Sequence, residues 1–199
     1  MRPRAFSLVV FASALALAVP AAVLVNPVPE AHAAVSVLLS LDELVGATSH
    51  VVVAQAGESR SVWEDLPGGR RIVTYTKLHV ERPIGGSSPG EVIEVRTLGG
   101  IVGEIGQAVE GDAKMVKGER AVFFLVKGER AAVVAGRAQG HFPLRADEKG
   151  TVRLVPSPKA GKLLPRPGPV ISAREELSGA LLEDAVTRIE KAWKARHGR

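Results

Sequence analysis

Apolar residues are massed at the start of the chain, alternate with polar ones through its middle and return at helical spacing near its end. The first mass is Phe6 to Val19, behind Arg2 and Arg4 and ahead of Ala31-His32-Ala33. After it, Ser40-Leu41-Asp42-Glu43 has the form of a capping box, in which hydroxyl and carboxylate satisfy free helix N–H groups reciprocally. Leu41, Leu44 and Val45 then share one face of a short helix. His50 to Ala56 carries Val51, Val52 and Val53 in succession, and the missing alternation predicts a strand covered on both faces or bulged. Pro67-Gly68-Gly69 marks the next turn.

Arg71 to Val80 alternates Ile72, Thr74, Thr76, Leu78 and Val80 against Val73, Tyr75, Lys77 and His79, a β-branched pattern suited to a pleated strand. Pro83 and the Gly85 to Gly90 segment interrupt it, and Glu91 to Thr97 resumes as a strand through Val92, Ile93 and Val95. A glycine-rich loop follows from Gly99 to Gly111. Lys117-Gly118-Glu119-Arg120 recurs as Lys127-Gly128-Glu129-Arg130 around Ala121 to Val126, which with Ala131 to Ala135 predicts a hairpin turning at the second copy. Phe142 to Arg145 and Thr151 to Leu154 predict another hairpin. Pro156 to Pro169 is too rich in Pro and Gly to enter a ladder and reads as an extended basic linker. A second capping box, Ser172-Ala173-Arg174-Glu175, opens a helix reaching about Arg196. Its stripe of Leu177, Leu181, Ala185, Ile189 and Trp193 is expected to pack on the strands.

The division that results is a signal peptide over 1–33, a β domain over 34–155, a Pro-rich basic linker over 156–171 and a C-terminal amphipathic helix over 172–197. A basic start, an apolar middle and a small-x-small exit are the order of an export signal, so cleavage is expected between Ala33 and Ala34. The alternative, retention of Phe6 to Val25 as an anchor, approaches the roughly 20 apolar residues of a spanning helix but meets Pro20. Either way the protein is expected outside the cytoplasm, in the periplasm or secreted. It has no cysteine, which removes disulfides, thiol nucleophiles and thiolate metal sites together. Roughly 165 residues then remain, enough for one packed core. Loss of Arg2, Arg4 and Glu30 lowers the formal charge from +5 to +4, a balance that favours anionic envelope partners over nucleic acid.

Apparent catalytic motifs lack their required settings. Gly86-Ser87-Ser88-Pro89-Gly90 fits G-x-S-x-G, but a nucleophile elbow needs a strand before it and a helix after it, whereas a strand follows here. Gly100, Gly103 and Gly106 precede no helix N-terminus that would hold phosphate. His79 and Glu81 are a two-ligand beginning without the remaining ligands of a metal site. Trp63, Tyr75, Phe123, Phe124 and Phe142 are too scattered to stack single-stranded bases. The expectation is a non-enzyme without cofactor or metal, touching membrane only through an uncleaved signal or the basic linker.

Several strings, from Leu41-Asp42-Glu43-Leu44-Val45 through Val95-Arg96-Thr97-Leu98-Gly99-Gly100 and Gly118-Glu119-Arg120-Ala121-Val122-Phe123-Phe124-Leu125 to Ala138-Gln139-Gly140-His141-Phe142, resemble a family of exported bacterial proteins over roughly residues 40 to 145. That resemblance implies class and location and carries no activity. The order of elements is also similar to the netrin-like module of tissue inhibitors of metalloproteinases. It implies a five-stranded OB-type barrel with a short N-terminal and a longer C-terminal helix, and a role as inhibitor or companion of an exported protease. The inhibitors' N-terminal cysteine and disulfides are missing here, which leaves only the new amine at Ala34 to reach a cleft. The preferred expectation is a non-catalytic binding module, with an envelope-associated structural protein as a further alternative. Its expected surface joins Ala34 with Leu98, Gly99, Gly100 and Gly103 and with Gln139, Gly140, His141 and Phe142, where glycine lets backbone approach closely.

Overall fold

Three runs of the chain, residues 36–86, 90–158 and 160–198, are described in a computed structural model. Ala33, Ala34, the leader and Ser88 lie outside them. The described residues belong to one compact unit spanning 32–199.

The organising element is a long hairpin of β2 (His50–Leu66) and β3 (Gly69–Gly85), each 17 residues. Pro67 and Gly68 make its turn. Of the polar stretch Glu58 to Ser61, which the alternation did not mark as strand, Ser59 to Ser61 are carried into the ladder by pairing with Thr74 to Thr76, after a register shift that takes in Glu58. Pro83 does not end β3. The β2–β3 register shifts between Val51 and Val52 and again between Val53 and Ala54, and such bulges tolerate a residue without an N–H.

β4 (Val92–Leu98) pairs antiparallel with β3, and β7 (Arg120–Val126) pairs antiparallel with β2. β8 (Ala132–Val134) then lies parallel to β4 and antiparallel to β7, so the pairings β7-β2-β3-β4-β8-β7 close a ring of five strands. Beyond β7 the same sheet continues through β9 (His141–Ala146) and β10 (Val152–Leu154). Both predicted hairpins, β7–β8 and β9–β10, are present. The Gly99 to Gly111 loop contains a further small hairpin, β5 (Gly100–Val102) with β6 (Ile105–Gln107), turning at Gly103 and Glu104.

The described residues are mainly β, with three α-helices among them. Helix α1 (Leu41–Gly46) starts at the Ser40 capping box and α2 (Ala173–Leu177) at the Ser172 box, both with the two reciprocal bonds formed. The single C-terminal helix expected over 172–197 is instead two, because Ser178 takes an extended conformation and Gly179 a φ of +78°. The freed backbone is used: Gly179 N donates to Leu154 O and Leu154 N to Ala180 O, which pins the break to β10. Helix α3 (Leu182–His197) follows. The linker also departs from expectation, because β11 (Leu163–Leu164) forms a short parallel ladder with β1 (Ser36–Val37) where no proline intervenes.

Burial splits the Val51-Val52-Val53 run between two cores. Val51 and Val53 face a layer in which Leu44, Ala185 and Ile189 of the helices meet Val122, Phe124 and Phe142. Val52, Ala54 and Ala56 face the inside of the ring with Leu78, Val95, Phe123 and Leu125. The uninterrupted apolar sequence is thus the mark of a strand with two covered faces.

Candidate functional site

At one end the ring interior changes from aliphatic to hydroxyl. Leu78 and Val95 belong to the core inside the ring; Thr76 and the directly paired Thr74 and Thr97 lie toward its mouth. Over this mouth fold the β5–β6 hairpin and the segment from Ala108 to Met115, enclosing a pocket of about 480 Å³. That is within the range of sites for drug-sized molecules.

Glycine makes the close fit possible. Gly99 has φ +89°, and a Cβ there would sit 2.6 Å from the backbone carbonyl of Gln107. Gly100 has φ +136°, and a Cβ would collide with the hydroxyls of Thr74 and Ser61. With no side chains in the way, Gly99 N donates to Ile72 O at 2.7 Å, and Thr74 Oγ1 donates to Gly99 O at 2.7 Å. The hairpin's second strand is held at the same base by Ile72 N, which donates to Gln107 Oε1 at 2.7 Å.

Asp112 is one of two carboxylates lining the pocket, with Glu110. Its Oδ2 accepts from Leu98 N at 2.5 Å and its Oδ1 from Ala113 N at 3.0 Å, so it clamps the end of β4 to the covering segment. Burial pushes its pKa above the ordinary carboxylate range, against the backbone bonds and the charges of Arg137 and Arg96, which pull it down. Thr97 Oγ1 donates to Thr74 O at 3.4 Å. Thr76 is only 3 % exposed, and it lines the pocket. Around the rim stand Ile101, 71 % exposed, with Val109 and Met115 and the oppositely charged Glu110 and Lys114.

The expected surface falls into separate places. Leu98, Gly99 and Gly100 line this pocket, and Gly103 is at the exposed hairpin tip. Gln139 and Gly140 belong to a 3-10 turn, Arg137–Gly140, before β9. Gln139 there is a brace, accepting from Leu39 N and donating to Val37 O, both at 3.0 Å. A Cβ on Gly140 would strike Ala135 O. His141 and Phe142 are 1 % exposed, Phe142 in the helix-side core and His141 stacked on Phe123 at 5.0 Å between centroids.

His141 has a suggestive setting, with Nδ1 3.3 Å from Ser157 Oγ and Nε2 3.8 Å from Glu119 Oε2. The serine, histidine and carboxylate order resembles a catalytic relay, but Ser157 is itself buried and the adjacent space is about 10 Å³, enough for at most a water. Burial lowers the His141 pKa to about 4 despite the Glu119 charge, so the ring is neutral near pH 7. Glu119 is engaged by Arg145 at 2.6 Å. This group is a polar strut in the core.

Of the other sequence candidates, Glu81 is held by Arg120 at 2.6 Å, and His79 lies against Gly57. Among the described residues no three His, Cys, Asp or Glu side chains converge on a metal position, and no helix is long and apolar enough to cross a membrane. Sequence reasoning passed over Thr74, Thr76, Thr97 and Asp112. Their signal was available: two threonines in the middle of the Ile72–Leu78 alternation place hydroxyls on a face otherwise apolar. The chain matches no family model, no curated protein and no solved structure.

Proposed function

We propose that this chain is an exported, non-catalytic binding module whose ligand occupies the pocket at the mouth of the strand ring. The observation that carries the reading is a preformed 480 Å³ pocket in which three threonine hydroxyls, Thr74, Thr76 and Thr97, line the mouth of an otherwise aliphatic ring interior. Three further features support it. The ring order, with its parallel β4–β8 contact, is compatible with an OB-type barrel. Modules of that type bind on the face of their second and third strands, and β3 and β4, second and third in this ring, supply Thr74, Thr76 and Thr97. The pocket has hydroxyls and two carboxylates but no paired nucleophile and base, while the serine–histidine–glutamate group elsewhere is sealed from substrate. Export follows from the Arg2 to Ala33 pattern.

The test is nondenaturing mass spectrometry of the full chain isolated from cells, beside an Ala108→Trp variant. Ala108 is exposed on the rim, so a tryptophan there obstructs the pocket without loading the core. A one-to-one small-molecule adduct on the wild type and none on the variant is expected. An adduct equally abundant on both places the ligand elsewhere and overturns the reading. A second reading, companion of an exported protease, draws on the protruding hairpin with Ile101 71 % and Ile105 56 % exposed. It calls instead for a protein recovered in near-equal amount after mild cross-linking, lost on Ile101→Asp.

A further inference from the structure

We infer that the pocket takes a small amphiphile, head inward, whose polar head is a neutral or cationic hydrogen-bond donor and whose aliphatic tail leaves along Ile101 and Met115. This rests on the binding-module reading and names its ligand class. The polarity of the pocket runs opposite to that of a fatty-acid cavity. Its buried lining carries hydroxyls, with Thr76 3 % and Thr97 8 % exposed and Asp112 in the same lining, and its rim offers Ile101, 71 % exposed, as apolar surface alongside the exposed Glu110 and Lys114. A ligand that entered tail first would bury methylene groups against the threonine hydroxyls and take water away from oxygens such as that of Thr76 without replacing it, and desolvating a polar group without a new partner is costly. One that enters head first gives those oxygens a donor and lays its tail on the rim.

The sign of the head follows from what already occupies the buried lining. Both Asp112 oxygens accept a backbone N–H, and each keeps a lone pair for a further donor. Thr74 and Thr97 have committed their protons to Gly99 O and Thr74 O, so what they offer is oxygen. The buried lining is therefore a collection of acceptors. Arg96 is turned to Glu64 at 3.2 Å, and the rim cation Lys114 is exposed, which leaves no lysine or arginine among the pocket's buried lining residues for a carboxylate head. An inward carboxylate would meet Asp112 with like charge.

Three probes with one tail separate the possibilities: octylamine, octan-1-ol and octanoate, each titrated below its micelle concentration into the 15N-labelled full chain. The amine and the alcohol are expected to shift the amides of Leu98 to Gly100 and Gln107 to Met115, and to bind at least about tenfold tighter than octanoate. Thr76→Val, which removes the hydroxyl and keeps the shape, is expected to weaken both about fivefold, as loss of one hydrogen bond does. Asp112→Asn, which removes the carboxylate charge, is expected to weaken the amine more than the alcohol. Octanoate binding as tightly as the amine at the same amides overturns the head assignment and leaves the pocket as the ligand site. Failure of all three to shift those amides overturns the ligand class; the pocket reading itself then stands or falls separately with the Ala108→Trp adduct comparison.

Discussion

His141 is a residue whose cost depends on pH. In the unfolded chain it titrates near 6.5, and in the fold burial holds it at about 4. The folded state therefore binds fewer protons between those values, so stability is highest above pH 6.5, falls as pH drops toward 4, and has lost the full contribution below that. The difference is on the order of 3 kcal/mol. Replacing the ring by phenylalanine, which preserves stacking on Phe123, is expected to flatten urea-derived stability across pH 4 to 6.5. An unchanged slope would assign the pH dependence to another group. Glu43, with its pKa lowered from 4.5 to about 2 by its bond with Arg166 and by Ser40, acts with the same sign in a lower window, its contribution being lost as pH falls from about 4.5 toward 2. The glycines under the hairpin are a second residue-scale test. Gly100→Ala forces a Cβ against Thr74 and Ser61 at a φ that alanine avoids, and should cost roughly 2 kcal/mol or more, with faster hydrogen exchange confined to β5 and β6.

The elements show which local signals survive into three dimensions. Both serine–glutamate capping boxes were legible because their bonds lie within four residues, and both hairpins because their turns separate apolar runs. The length of β2 was not legible. Glu58 to Ser61 is polar and unpatterned, and only the pairing of Ser59 to Ser61 with β3 carries it into the strand. The break between α2 and α3 was likewise hidden, since the periodicity of Leu177, Leu181 and Ala185 runs through it and the bonds that stabilise it come from Leu154, 25 residues upstream of Gly179. The stripe itself was legible: Ala185 and Ile189 are fully buried against α1 and the sheet. Ile189→Ala should lower stability by about 2–5 kcal/mol while the pocket amides, which belong to the other core, keep their chemical shifts. Large shifts at Leu98 to Gly100 would show that the two cores are not independent.

For the whole molecule, the two cores explain how one sheet does two jobs. The helix-side core fixes the sheet, and the ring-side core is replaced at one mouth by threonines that a purely structural interior would not need. This arrangement depends on contacts such as Leu98 with Asp112, Ile72 with Gln107 and Thr74 with Gly99, which join segments 14 to 35 residues apart. The glycines were visible as a place where backbones meet, but what they meet was not. The account rests on the pocket being where ligands go. The most direct measurement is a fragment screen by 15N-resolved NMR on the full chain, mapping every hit onto assigned amides. Binding at the pocket predicts that hits cluster on Leu98 to Gly100, Gln107 to Met115 and the Thr74–Thr97 pair. Hits that cluster instead around Gln139 to Phe142, or that spread over the surface without preference, would contradict it.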